Sequence, residues 1–171
     1  MSKTKELIFH RPNPRNYLPS AEIIGIERVS FTKFLGVWLQ DDMSACKHVD
    51  YVTHICNQRL YLLNQIKKQG FHKAELLSVF EEIVLTRVLY ASPALSGYAS
   101  ANNIDSLQRV LIKAKRWRIV DIDYQLVDLF QNCDRLLFSA AQSSKHSLTH
   151  LFQVKQNHSH QMSLRPRGHN F

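Results

Sequence analysis

The sequence predicts an α+β fold that is mainly helical, with short N-terminal β-strands followed by a bundle of three to four helices. Two changes of pattern carry this prediction. Up to about residue 40, apolar residues come in short β-branched and aromatic runs cut by Pro, Asn and Gly. From about Lys47 they recur three and four residues apart, the spacing that lines one face of a helix. Length and composition set the scale: 171 residues at 44% hydrophobic is one domain's worth of chain with enough apolar surface for a core.

Leu7-Ile8-Phe9 is the first apolar run and stops at Arg11-Pro12-Asn13-Pro14, where two prolines force extended or turn geometry. Ile23-Ile24-Gly25-Ile26 follows, then Val29 to Leu39 with Phe34-Leu35-Gly36-Val37-Trp38 at its centre. Val49, Val52, Cys56, Leu60, Leu63 and Ile66 form the stripe of a first helix. Lys67 and Lys68 suit its negative end, and Gly70 can take the left-handed cap. Leu76, Leu77, Phe80, Val84, Val88 and Ala91 mark a second helix, ended by Ser92-Pro93. A third is expected to start at Asn102 or Asn103, either of which can cap it, with Ile104, Leu107, Leu111 and Ala114 as its stripe. A fourth, from about Asp123 to Gln142, has Leu126, Leu129, Phe130, Cys133, Leu137 and Ala140 as its buried side. The expected organisation is strands over 1–45, helices over 46–142 and a Ser-, His- and Gln-rich, disordered tail over 143–171.

The net charge of +8 and a pI near 9.6 point to a polyanionic partner, and the placement of the charge says more. Arg109, Lys113, Lys115, Arg116 and Arg118 face one acid, Asp105, over residues 104–118. Lys145, Lys155, Arg165 and Arg167 face none over 142–171. Each segment contributes +4, and the rest of the chain sums to zero. There is no apolar stretch of membrane-spanning length, and Met1-Ser2-Lys3-Thr4-Lys5-Glu6 holds no apolar run long enough for a secretory signal, so none is expected. Three cysteines, Cys46, Cys56 and Cys133, make a poor disulfide framework. The expected location is therefore intracellular, cytoplasmic or nuclear, with no membrane partner.

Ser2-Lys3-Thr4-Lys5-Glu6-Leu7-Ile8-Phe9, then Phe31-Thr32-Lys33-Phe34-Leu35-Gly36-Val37, then His48 with Leu89-Tyr90-Ala91-Ser92-Pro93-Ala94 and Leu107-Gln108 are three pieces that, in this fixed order, resemble one family, the reverse transcriptases of non-LTR (LINE-type, jockey-like) retrotransposons. Ser2-Lys3-Thr4-Lys5-Glu6-Leu7-Ile8-Phe9 resembles the S-K-T-K strand that follows the family's catalytic hairpin. Phe31-Thr32-Lys33-Phe34-Leu35-Gly36-Val37 resembles its K-F/Y-L-G-V hairpin, the primer grip between palm and thumb. His48, Leu89-Tyr90-Ala91-Ser92-Pro93-Ala94 and Leu107-Gln108 resemble the helical thumb, where an L-Y-x-x-P turn joins two helices. The closing Leu164-Arg165-Pro166-Arg167-Gly168-His169-Asn170-Phe171 is similar to the end of such open reading frames. The likeness covers about residues 1 to 118 and loosens beyond.

The resemblance implies the end of a palm followed by a thumb-like bundle, from an RNA-directed DNA polymerase. It also implies that the metal-binding aspartates lie upstream of the S-K-T-K strand, whereas this chain opens at that strand. The expectation is a truncated, non-catalytic chain with no cofactor of its own, since Mg2+ would belong to the missing part. Leu95 departs from the pattern, standing where the thumb turn would carry Trp.

Arg109, Lys113, Arg116 and Arg118 are the strongest functional candidates. Cations in a line can neutralise successive phosphates and release counterions, and Trp117 between them could stack on a base. The expected partner is RNA or an RNA–DNA hybrid; the plainer expectation is a solvated helix face with Trp117 in the core. By resemblance, Phe34, Leu35 and Gly36 would press on the primer strand, while burial statistics favour a place in the core. Lys3, which the resemblance sets near nucleotide phosphates, is expected to be solvated. Asp41-Asp42 is read as a turn before the first helix, because it lacks the aromatic-x-Asp-Asp context and two-metal chemistry needs carboxylates from separate elements. His158, His160 and His169 lack the ordered spacing of a zinc site, and Cys46 and Cys56 read as small buried hydrophobes or spectators. Two alternatives stand beside the polymerase fragment: a helical protein-interaction module, and a translated relic without function. Strands cut from a larger sheet would leave an edge open to self-association.

Overall fold

A computed structural model of the chain describes residues 4–10, 20–143 and 145–152. Lys3, His158, His160, His169, Lys155, Arg165 and Arg167 lie outside the described residues. The architecture is α+β and mainly helical. Four short strands come first: β1 (Lys5–Glu6), β2 (Glu27–Arg28), β3 (Phe31–Phe34) and β4 (Val37–Gln40). The helices follow: α1 (Cys46–Lys68), α2 (Lys73–Phe80), α3 (Thr86–Leu89), α4 (Ser92–Leu95), α5 (Ala101–Arg116) and α6 (Leu126–Ala141). The chain divides into two compact units, Met1–Arg135 and Leu136–Phe171, so the strands and α1 to α5 share one unit.

The strands are shorter than the apolar runs suggest. β1 and β2 form a parallel pair with Lys5 opposite Glu27 and Glu6 opposite Arg28. Arg28 Nε donates to Glu6 Oε2 at 2.8 Å, and its Nη1 and Nη2 donate to the carbonyls of Ser20 and Ala21. Leu7-Ile8-Phe9 has no ladder partner among the described residues and is not a strand. Ile23-Ile24-Gly25-Ile26 is a turn, closed by Ile26 N–H on the Ile23 carbonyl at 3.1 Å, with Gly25 at φ +85°. β-propensity needs a neighbouring strand to be realised, and these runs have none.

β3 and β4 form an antiparallel hairpin in register Phe31↔Gln40 through Phe34↔Val37. Its two-residue turn is Leu35-Gly36, at φ +45° and +86°. Positive φ at both central residues is the type I′ geometry that matches strand twist, and Leu is an unusual residue for it. Phe34 and Leu35 are exposed at 62% and 76%, so they do not belong to the core. The two-residue turn lifts them to the hairpin tip, clear of the layer beneath.

α1 carries the expected stripe. Val49, Val52, Cys56, Leu60 and Leu63 are buried and Ile66 packs against them. Gln40 Oε1, at the end of β4, accepts Lys47 N–H in the first turn of α1 at 2.7 Å, and in the turn between them Asp42 Oδ1 accepts Ser44 N–H at 2.9 Å. The Ser44 hydrogen bond holds the Asp42 carboxyl below its usual range. The far end closes on Gly70 at φ +90°, whose N–H donates to the Lys67 carbonyl.

The second helical stretch runs from α2 to α3 through one π-helical segment, Glu81–Leu85. Leu76, Phe80, Val84 and Val88 are all buried, each four residues after the last. On an α-helix such spacing drifts by about 40° per step; the wider π turn absorbs the drift and keeps all four inward. The looser carbonyls find side-chain donors. Arg59 Nη1 donates to Ile83 O, Thr86 Oγ1 to Glu81 O at 2.8 Å, and Cys56 Sγ to Val84 O at 3.9 Å. Burial pushes the Cys56 thiol up to about 11. Cys46, which opens α1, is exposed rather than buried, and its Sγ accepts from Asn103 Nδ2 at 3.7 Å.

Leu89-Tyr90-Ala91-Ser92-Pro93 breaks the chain direction. Ala91 takes φ +58°, and Ser92-Pro93 starts α4 with proline in the first turn, where its missing N–H costs nothing. Tyr90 Oη reaches back to donate to the Leu35 carbonyl at 2.7 Å, and a Cβ on Gly36 would stand 3.3 Å from Tyr90 Cε1. Two motifs far apart in sequence therefore touch. A second tie is Trp38 N–H donating to Nδ1 of buried His48 at 3.3 Å.

α6 differs from expectation along its later half. Leu126 and Phe130 are buried and Leu129 and Cys133 half-buried, but Leu137 and Ala140 are exposed, as are Leu136 and Phe138. Its start, through Leu126 and Phe130, belongs to the core. Gln108 anchors that start, with Nε2 on the Tyr124 carbonyl at 2.9 Å and Oε1 accepting Leu126 N–H at 2.8 Å. Tyr124 Oη donates to Glu81 Oε1 at 2.8 Å, and burial, then that carboxylate, push the phenol up to about 12. No described helix is long and apolar enough to cross a membrane.

Candidate nucleic-acid interface

α5 is capped by Ser100, whose Oγ accepts Asn103 N–H at 3.3 Å; Asn103 itself is buried. The cap thus lies two to three residues earlier than the asparagines predict. Leu107, Val110, Leu111 and Ala114 are buried and fix the helix's rotation against α1. That rotation sends Arg109, Lys113 and Arg116 to one flank, at i, i+4 and i+7.

On that flank the structure forms an open groove of about 400 Å³ between α1 and α5. Arg109, Lys113, Arg116, Ser106, Val110 and Ile112 line it from α5, and Thr53 and Asn57 from α1. The lining contains no carboxylate. Among the described residues Arg109 and Arg116 have no ion-pair partner, whereas neighbouring Lys115 is paired with Asp123 at 3.0 Å. Lys113, Lys115 and Arg116, in the last turn of α5, also complement the helix dipole. That term rewards any cation in the last turn, so it does not require the clearing of acids from the groove.

Lys113 is held more tightly than the two arginines. Its Nζ donates to Asn57 Oδ1 at 2.7 Å and sits 4.6 Å from the centre of the Trp117 ring. Trp117 is half-buried and packed against the core, with Lys113 over its ring. Its carbonyl accepts Lys67 Nζ at 2.6 Å. Arg118 lies outside the groove lining. It takes the left-handed position after the helix, φ +53°, while Arg118 N–H bonds to Lys115 O and Ile119 N–H to Ala114 O. This pair of bonds is a Schellman cap, with buried Ala114 and Ile119 as its apolar partners. The role of Arg118 in the fold is thus to end α5.

Of the residues selected from sequence, the structure brings Arg109, Lys113 and Arg116 together. Trp117 sits behind Lys113, and Arg118 stands apart. Phe34, Leu35 and Gly36 form the hairpin tip against Tyr90, and none of them lines the groove. Thr53 and Asn57 escaped the sequence reading. Their spacing of four on the flank of α1 was the available signal, but nothing in the sequence shows that α5 lies alongside.

Comparison of the chain with protein-family models, with curated proteins and with solved structures gave no match in any of the three.

Proposed function

We propose that this chain is the C-terminal part of a non-LTR retrotransposon reverse transcriptase, with its helices as the thumb, and that it contacts the backbone of RNA or an RNA–DNA hybrid through the α1–α5 groove. One observation carries the binding reading: a groove lined by Arg109, Lys113 and Arg116 and by no acid. Such a row tracks phosphates without reading bases. The docking of Tyr90 on Leu35 supports the parentage, because it joins two of the three motifs on which the resemblance rests. The reading gives these residues no polymerase chemistry; Mg2+ belongs to carboxylates that the family carries before the S-K-T-K strand.

The test is a fluorescence-anisotropy titration of a short RNA–DNA hybrid at several salt concentrations. Arg109 and Arg116 are both exposed, so Arg109→Ala/Arg116→Ala leaves the core intact. The wild type should bind with a steep salt dependence, and the double variant should bind more weakly with a log–log salt slope shallower by about 2. Equal affinity and slope for the two proteins would remove the groove from the account.

A second reading, a protein-interaction module, draws on the exposed Leu136, Leu137 and Phe138 of α6. In that case hybrid binding would be weak and indifferent to Arg109 and Arg116.

A further inference from the structure

We infer that Lys33, Tyr51 and Arg87 form a phosphate-binding site on the flank of α1 away from the α5 groove. Around α1, Tyr51 lies about 160° from Thr53 and about 120° from Asn57, the two residues that wall the groove. The inference rests on different residues from the function proposed above and stands or falls separately.

Three distant parts of the chain meet at one oxygen. Lys33 Nζ from β3 and Arg87 Nη2 from α3 both donate to Tyr51 Oη of α1, at 3.0 and 3.1 Å. The two cationic nitrogens are therefore no more than about 6 Å apart. Neither has a carboxylate within ion-pair distance among the described residues, and the acceptor they share is neutral. Aromatic faces hold them instead. Lys33 Nζ is 4.5 Å from the Tyr51 ring centre and 5.9 Å from that of Trp38, and Arg87 Cζ is 5.3 Å from Tyr51.

A cation held by a ring keeps most of its N–H donors unspent, unlike one in a bidentate ion pair. Arg87 Nε, buried, has no acceptor among the described residues. Buried His48 lies in the same positive field and adds no negative charge; burial first, then Arg87 and Lys33, hold its pKa below the usual range. The Tyr51 phenol is likewise held low, chiefly by the Lys33 hydrogen bond. The cluster is therefore a set of donors waiting for an anion.

The arrangement favours phosphate over a carboxylate. Lysine ammonium, arginine fork and tyrosine O–H approach from three elements, which suits a tetrahedral oxyanion better than a planar one. The phosphate could be a nucleic-acid diester or a free phosphate group, and the experiment separates the two.

Thermal unfolding is followed with and without inorganic phosphate, at an ionic strength held constant with chloride. Phosphate should raise the wild-type midpoint by ligand linkage, and the rise should vanish in Lys33→Met, which changes only an exposed strand residue. Tyr51→Phe keeps the ring and removes the O–H, so it should show a reduced rise. No rise in the wild type, or an equal rise in Lys33→Met, overturns the site. For the source, Lys33→Met is placed on the Arg109→Ala/Arg116→Ala background and titrated with the RNA–DNA hybrid. A further loss of affinity, with the salt slope shallower by about 1, identifies a diester. Unchanged hybrid binding beside a lost phosphate response identifies a free phosphate group.

Discussion

In the helical body Phe80, Cys56, Leu60 and Val84 have no exposed surface, while in the N-terminal region of strands and turns Ile24 is fully exposed and Phe34 and Leu35 are mostly so. The two regions are equally apolar in places, yet only one buries what it has. A helix pairs its backbone within itself and needs only one covered face; α1 obtains that cover from α5 and from the α2–α3 stretch. Two-stranded pairs leave edges and faces open and are marginal in water. Here they hold on through polar clasps instead: Arg28 on Glu6, Tyr90 on Leu35, and His48 under Trp38. Hydrophobic burial thus stabilises the helices, whereas a few directional contacts place the strands. A strand region built this way fits the proposed descent from a larger sheet.

The contrast can be broken at several points. The largest effect is expected from Phe80→Ala, at the centre of the helical core, which should cost about 3–5 kcal/mol in chemical unfolding. A loss under about 1 kcal/mol would mean that the core does not depend on this ring. Gly36→Ala tests the strand side. It puts a Cβ at φ +86° and 3.3 Å from Tyr90, a strain of about 1–2 kcal/mol. Hydrogen exchange of β3 and β4 amides should accelerate by roughly tenfold while α1 amides keep their protection. Equal loss in α1 would show the two regions to be one cooperative unit.

The His48 clasp gives a gentler, pH-dependent effect. Its folded pKa lies below the 6.5 of the free side chain, so the unfolded state binds more protons as pH falls through that window. Stability from this group is complete above pH 6.5 and is lost as pH falls toward the folded pKa. Unfolding free energy should therefore drop between pH 7.5 and 5.5, and less so in His48→Gln; identical pH slopes would discard the assignment. The smallest change runs the other way. Arg118→Gly relieves a left-handed non-glycine residue in the α5 cap and should stabilise by about 0.5–1 kcal/mol. A loss of stability there would mean that the Arg118 side chain does more than end the helix.

Much of the fold was legible beforehand, and the reason is local. The α1 stripe, its closure at Gly70 and the break at Ser92-Pro93 follow from spacing and from the φ preferences of single residues. The π segment left a trace too, in the unbroken run of four-residue steps from Leu76 to Val88. What failed depended on neighbours: among the described residues no strand pairs with Leu7-Ile8-Phe9, and Leu137 and Ala140 are exposed. The basic row of α5 could likewise be counted from its spacing. That it would face Thr53 and Asn57, that Lys113 would cover Trp117, and that Lys33 and Arg87 would share the Tyr51 oxygen could not. Periodicity tells which face of an element is apolar and which residues flank it, because that is geometry within one element. Which flank meets which depends on how whole faces pack together, and that choice is made by the assembled core.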